Sequence, residues 1–264
     1  MTNSNTPLTM AVFLDLENLA IGARDAGYPT FDVRKVLTKL LLRGNIVVKK
    51  AYSDFEQYRE MKKDLHEAAF ELIEIPHVRQ AGKNSADIRM VVDALDLCYT
   101  KPHVDTFVIM SGDSDFSPLV SKLRENAKTL IGVGVKNSSS DLFINNCDEF
   151  IYYDDLVRKE PGKAGKSSGK TSETKSKAAK TLDVRKAIDT LAETLEDMID
   201  ENADDAGVWG SALKQAIKRR EPGFNERAYG VKTFNDLLLE AQKQKRVKLE
   251  REEKVGNYMV RPVE

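Results

Sequence analysis

Cysteine and histidine are scarce in this sequence, which has two cysteines and three histidines among 264 residues. Cys98 and Cys147 are too few for a disulfide framework and lack the CxxC spacing of a zinc site, and the histidines are scattered without an HxxxH pair. We therefore expect both cysteines to pack as small apolar residues. Zinc chemistry and thiol redox chemistry are excluded on the same grounds.

Long apolar runs are also absent. The longest are the length of a strand, well short of the roughly 20 residues that a membrane-spanning helix needs. The first ten residues, MTNSNTPLTM, have neither a basic start nor an apolar signal core. With 41% hydrophobic and 31% charged residues, the composition is that of an ordinary globular protein. We expect a cytoplasmic protein without membrane contact.

The net charge of −1 conceals an uneven distribution of charge along the chain. Residues 1–157 carry 18 basic and 23 acidic side chains, residues 158–180 carry 8 and 2, and residues 181–264 carry 15 and 17. The middle segment is rich in Gly, Ser, Thr and Lys and has no large apolar residue, so it cannot form a core. The sequence predicts a first domain at 1–157, a flexible basic linker at 158–181 and a second domain at 182–264.

Short apolar runs alternate with amphipathic helical patterns in the first domain. Strands that are apolar throughout and alternate with helices are typical of a mainly parallel sheet covered on both faces, which is an α/β fold. In such sheets, ligands bind beyond the carboxyl ends of the strands. The runs that predict strands are 10–15, 45–52, 70–76, 106–110, 129–135 and 149–153.

Acidic residues follow two of these strands. Asp15 ends the first, and Asp113 and Asp115 follow the fourth in MSGDSDF, while Asp87 opens the predicted helix SADIRMVVDALDLCYT at the same edge. Each acid alone has a structural interpretation as a turn, cap or helix-start residue. Together, carboxylates in one cleft repel one another unless a cation bridges them. Mg²⁺ or Mn²⁺ prefers such oxygen ligands, and the matching chemistry is phosphodiester hydrolysis.

Small and basic residues near this edge are candidate substrate contacts. The small residues leave room for a ligand, and the others are placed to contact phosphates. A solvated surface position is the alternative for each lysine. The candidates are Ser111 and Ser114 after the fourth strand, Lys83 and Asn84 before Asp87, and Lys136 and Ser138 after the fifth strand.

Four motifs resemble the NYN domain, a branch of the PIN-like nuclease fold, over about residues 10–155. They are AVFLDLENLAIGA, GKNSADIRMVVDALDL, DTFVIMSGDSDFSPLVSKLRE and GVGVKNSSSDLFINNCDEFIYY. The resemblance implies a metal-dependent ribonuclease built on a parallel sheet. Asp93 is either an outer participant or a structural helix residue. The matching positions are Asp15, Asp87 and Asp113 for the core acids, Asp115 for an additional acid and Asn18 for the polar residue beside the first acid.

The second domain reads as three helices followed by a hairpin, a pattern typical of a winged helix-turn-helix. Trp209 is expected in its core. The stretch from GVWGSALKQAIKRREPGF through FNDLLLEAQKQKRVKLER resembles the LOTUS (OST-HTH) domain, an RNA- or protein-binding module, over about residues 185–262. Its basic residues are either phosphate contacts or a solvated face; they include Lys214, Lys218, Arg219 and Arg220.

The leading hypothesis is a metal-dependent ribonuclease, most simply an endoribonuclease, whose second domain holds RNA. One alternative is a non-catalytic RNA-binding regulator or scaffold on the same fold. Another is a nuclease that acts on DNA, because the acids would be the same. The apolar run EFIYY at 149–153 fits an edge strand or a dimer contact, so a homo-oligomer stays open.

Overall fold

The computed structural model describes residues 7–75, 85–157, 173–202, 207–251 and 257–263; within the third range, side chains are described at 184–199. The chain forms two compact units, Met1–Arg158 and Lys159–Glu264, and each is described by itself. Within the described residues, no helix combines the length and hydrophobicity needed to cross a bilayer.

A six-stranded parallel sheet forms the centre of the first unit. Its strands are β1 (Leu8–Asp15), β2 (Gly44–Ser53), β3 (Glu71–Glu74), β4 (Thr106–Met110), β5 (Thr129–Gly134) and β6 (Glu149–Tyr152). Their order across the sheet is β3-β2-β1-β4-β5-β6, and every neighbouring pair is parallel. The predicted α/β class is confirmed.

Helices cover both faces of the sheet. They are α1 (Leu16–Asp25), α2 (Val33–Leu41), α3 (Arg59–Glu67), α4 (Ser85–Thr100), α5 (Ser117–Glu125), α6 (Asp141–Asn146) and α7 (Tyr153–Val157). One apolar core lies under α1 and α2, and a second lies under α4, α5 and α6. The sequence interpretation missed α1, which begins directly after β1 because Leu16, Leu19 and Ala23 follow at helical spacing and are buried.

The order of connections reverses between β1 and β4. Leu14 of β1 pairs with Met110 of β4, so Asp15 and Ser111 leave the sheet side by side. In doubly wound sheets this reversal opens the crevice in which ligands bind. The fold therefore directs attention to the residues that follow these two strands.

In its described residues, the second unit combines three α-helices and a short 3-10 turn over 226–229 with a three-stranded antiparallel sheet. Its elements are α8 (Glu173–Asn202), β7 (Val208–Trp209), α9 (Gly210–Arg220), α10 (Phe234–Lys243), β8 (Val247–Arg251) and β9 (Tyr258–Pro262). The predicted hairpin is β8 and β9, and β7 adds to the far side of β9. The prediction of a core position for Trp209 is wrong: its side chain is 37% exposed, because β7 is a two-residue strand at the edge of the sheet.

The long helix α8 starts at Glu173, earlier than the sequence pattern suggested at residue 182. Residues 170–202 include several Ala and Lys and contain no glycine or proline, so nothing in this stretch interrupts a helix. Among the described side chains of α8, Ala187, Ile188, Leu191 and Leu195 pack into the core of this unit.

Candidate functional site

Asp15 ends β1 and caps α1, and two hydrogen bonds fix its carboxylate. Oδ1 accepts from the backbone N–H of Asn18 at 3.2 Å, and Oδ2 accepts from the hydroxyl of Ser111 at 2.9 Å. The pKa of Asp15 is raised to about 7, mainly by burial and to a smaller extent by the charges of Asp87 and Glu17, while its two hydrogen bonds act in the opposite direction. The first acid is therefore rigidly held in a negative environment.

The loop after β4 folds around Ser111, which is completely buried. Its Oγ accepts from the backbone N–H of Asp113 at 3.2 Å while donating to Asp15, so its hydroxyl positions acids. The sequence predicted Ser111 as a substrate contact, whereas in the structure its hydroxyl forms hydrogen bonds with Asp15 and with the backbone of Asp113. Asp113 in turn accepts at 2.9 Å from the backbone N–H of Asp115 and caps a short 3-10 turn over residues 114–116 that leads into α5.

Asn18 and Gly112 join the segments that follow β1, β4 and β5. Oδ1 of Asn18 accepts from the backbone N–H of Gly112 at 2.8 Å, and the carbonyl oxygen of Gly112 accepts from the backbone N–H of Ser140 at 2.8 Å. A Cβ atom at position 112 would overlap the backbone of Ser138. Glycine is thus required here because the loop after β5 approaches so closely.

Asp87 lies in the first turn of α4 and belongs to the same electrostatic site. Burial raises its pKa, and the charges of Asp113, Asp115 and Glu17 raise it further. Glu17, which sequence analysis did not single out, therefore adds to the negative charge around Asp15 and Asp87. The sequence feature that could have identified Glu17 is its position two residues after Asp15, in the first turn of a helix that begins at this edge of the sheet.

A divalent cation fits this site by charge and by donor type. Asp15, Asp87, Asp113 and Asp115 offer carboxylate oxygens, which Mg²⁺ and Mn²⁺ prefer. Burial is the main cause of the raised pKa values of Asp15 and Asp87, and the charges of neighbouring acids add to it. As the described side chains stand, no three acidic, histidine or cysteine residues lie close enough together to hold an ion.

Asp93, for which two roles were open, has structural partners. It accepts hydrogen bonds from Tyr52 Oη at 2.8 Å, Lys50 Nζ at 3.3 Å and Arg89 Nε at 3.0 Å. Burial acts to raise the pKa of Asp93, but the bond from Tyr52 and the charge of Lys50 outweigh it and lower that pKa. These contacts tie α4 to β2.

Family comparison agrees with this geometry. The model of the NYN domain matches residues 9–154, more than half of the chain. The chain belongs to the NYN domain family. A second model, the OST-HTH/LOTUS domain, matches residues 184–255. Both resemblances drawn from the motifs are confirmed, and a PIN-like, nuclease-type NYN domain joined to a LOTUS domain indicates an RNA-related function.

Two relatives extend the comparison. An uncharacterized protein of Methanocaldococcus jannaschii is 32% identical over 119 residues, which are 45% of this chain and 45% of that protein. The crystal structure of a protein of unknown function from Vibrio parahaemolyticus has a TM-score of 0.51 and 26% sequence identity, covering 59% of this chain and 98% of that one. The chain thus spans less than half the length of the archaeal relative.

The remaining candidates around the NYN acids have different surroundings. Ser114 lines a groove together with Asp87 and Asp115, and Ser138 is exposed beside Gly112. Lys136 is also exposed, and its Nζ lies over the ring of Tyr152, 5.3 Å from the centroid. Lys83 and Asn84 lie outside the described residues.

In the LOTUS domain, the structure separates the basic residues of α9. Lys214 Nζ donates to Glu226 at 2.8 Å and lies 5.4 Å from the ring centroid of Phe234, and Arg220 forms an ion pair with Asp197. Lys218 is half-buried. Burial of Glu226 acts to raise its pKa, but the hydrogen bond and charge of Lys214, with a smaller contribution from the charge of Lys218, lower it. Arg219 is exposed. Lys214 is therefore a structural cation, and Arg219 is the one best placed to meet phosphate.

Proposed function

We propose that this NYN protein is a metal-dependent ribonuclease that hydrolyses RNA phosphodiester bonds. In this proposal residues 1–157 are the catalytic domain, residues 158–181 connect the domains and residues 182–264 bind RNA. The supporting observation is that Asp15, Asp87 and the Asp113–Asp115 loop share one electrostatic site where the sheet order reverses.

The acids would hold Mg²⁺ or Mn²⁺, which supplies charge neutralisation for the phosphate and an activated water when bound. The chain's own residues prepare the site. Ser111 and the backbone of Asn18 fix the carboxylate of Asp15, and the Asn18 side chain fixes the loop that carries Asp113. The amide NH₂ group of Asn18, opposite the oxygen that Gly112 uses, is the part that can donate to a substrate phosphate.

A cleavage assay tests the proposal. Full-length protein is incubated with single-stranded and structured RNAs, and with DNA of the same sequence, in Mg²⁺, in Mn²⁺ and in EDTA. We expect metal-dependent cleavage of RNA that Asp113→Asn abolishes and Asp96→Asn, an exposed position on α4, leaves intact. Full activity of the Asp113→Asn variant would refute the proposal, and preferential cleavage of DNA would reassign the substrate.

A second candidate function is a non-catalytic RNA-binding protein on the same fold. It is favoured by the spacing of the described acids, of which no three lie within reach of one ion. This candidate predicts RNA binding without cleavage under every metal condition of the same assay.

A further inference from the structure

A groove of about 720 Å³ extends from the acidic site along α4 and α5. Asp87 and Asp115 stand among its lining residues, and its apolar surface includes Ile88 and Val92 of α4 and Leu142 of α6. These three side chains are 63%, 56% and 58% exposed. Large apolar residues that are exposed together, next to a candidate active site, mark a surface that contacts a ligand or partner.

A polar group with an unmet hydrogen bond lines the same groove. Ser117 begins α5 and is only 7% exposed, and its Oγ has no hydrogen-bond partner among the described residues. Buried polar groups of proteins are nearly always paired, and this hydroxyl, which has almost no accessible surface, is an exception at the wall of the groove. Ser121, one turn further along α5, lines the groove as well.

The charges around the groove limit what can occupy it. Among the described residues that line it, the charged side chains are Asp87 and Asp115, and the others are serine, proline or aliphatic. Away from these two acids, the described wall of the groove is uncharged and largely aliphatic. This part of the groove therefore suits an uncharged occupant with apolar faces and hydrogen-bonding edges.

We propose that this groove binds one nucleobase of the RNA strand, that of a nucleotide next to the cleaved phosphodiester bond. The inference rests on the proposed ribonuclease function and adds to it a site for base contacts. A base has flat apolar faces and polar edges, and single-stranded RNA can turn its bases outward into such sites. The volume of the groove is within the range of small-molecule sites.

Cleavage of RNAs with one abasic ribonucleotide, scanned through successive positions, tests the inference in the full-length protein. At one position beside the cleaved bond, we expect the missing base to lower kcat/KM about tenfold. The Ile88→Ser/Val92→Ser variant should lose a similar factor on intact RNA and become insensitive to the abasic nucleotide. The matched control is Leu41→Ser/Leu42→Ser, which changes two exposed leucines at the end of α2 and should respond as the wild type does.

A second readout does not depend on catalysis. A 4-thiouridine at the same position should cross-link on irradiation to the segment 88–92 or 114–121, as located by mass spectrometry. Cross-linking without cleavage would sink the ribonuclease proposal and keep the groove as a base site. If kcat/KM were the same for intact and abasic RNA in the wild type and in both variants, and no such cross-link formed, the groove inference alone would be overturned. A wild-type dimer that Ile88→Ser/Val92→Ser converts to a monomer would also overturn it and assign the groove to a second copy of the chain.

Discussion

The hydroxyl of Ser111 donates a hydrogen bond to Oδ2 of Asp15 across 2.9 Å, although the two residues are 96 positions apart in the chain. The same hydroxyl accepts from the backbone N–H of Asp113. One buried serine therefore sets the position of an acid on each side of the crevice between β1 and β4. The fold of this NYN domain thus holds Asp15 and the backbone of Asp113 in place through one side chain.

Replacing Ser111 tests this arrangement. Ser111→Ala removes the donor to Asp15 and the acceptor for Asp113 and leaves two half-buried polar groups without this partner, so we expect a loss of about 1–3 kcal/mol in the free energy of unfolding. RNA cleavage should fall as well. Urea unfolding followed by circular dichroism measures the first effect. Ser114→Ala, in the same loop but half-exposed, should stay within about 0.5 kcal/mol of the wild type.

The stability of the protein without metal should depend on pH through Asp15. Its pKa is about 7 in the folded protein and 3.8 in the unfolded chain, so the native state binds more protons between these values and its stability falls as pH rises through this window. The Asp15→Asn variant lacks the titrating carboxyl group and therefore this decrease in stability. We expect its free energy of unfolding to exceed that of the wild type by up to about 4 kcal/mol at pH 8, with no such gain below pH 4. Urea unfolding in EDTA from pH 4 to pH 8 measures this difference. Equal pH profiles for the variant and the wild type would contradict it.

Divalent metal should stabilise the folded protein, because a bound cation removes the repulsion among the acids. At a Mg²⁺ concentration 100 times the dissociation constant, mass action gives about 2.7 kcal/mol. Calorimetric melting in Mg²⁺ should show the gain for the wild type and for Asp96→Asn, and a much smaller one for Asp113→Asn. NaCl at matched ionic strength separates specific binding from screening, and an equal gain in NaCl would argue against a metal site.

Two substitutions on α9 should affect different properties of the LOTUS domain, one its RNA binding and the other its stability. Arg219→Ala should weaken RNA binding and reduce the slope of log affinity against log salt by about 0.7–0.9, with unchanged stability, because it removes one exposed phosphate contact. Lys214→Ala should instead lower the melting temperature, since it leaves the half-buried Glu226 without its partner. Filter binding at several salt concentrations and thermal melting together measure both. A stable Lys214→Ala protein with the larger change in salt slope would reverse the assignment.

The positions of the acids were readable from local sequence. Apolar runs ended at Asp15 and before Asp113, and strands β1 and β4 end at Asp15 and Met110 in the structure. The predicted helix at 85–100 and strand at 106–110 have the same limits in the structure. Local patterns suffice for these elements because strand length, apolar content and helix-start residues act over a few neighbouring positions.

The role of each side chain was decided by residues distant in the chain. Asp93 is a structural residue because Tyr52, 41 positions earlier, donates to it, and Glu17 belongs to the site because α1 begins directly after β1. Trp209 is exposed because its strand lies at a sheet edge.

The sequence by itself therefore determined the α/β class, the two families and which strands end in carboxylates, since these follow from short-range patterns. Only the tertiary structure decided that Glu17 joins the predicted acids, that Ser111 supports Asp15 and Asp113, and that an apolar groove begins beside them. Burial and hydrogen-bond partners depend on strand order and helix packing, which bring residues together from opposite ends of a domain.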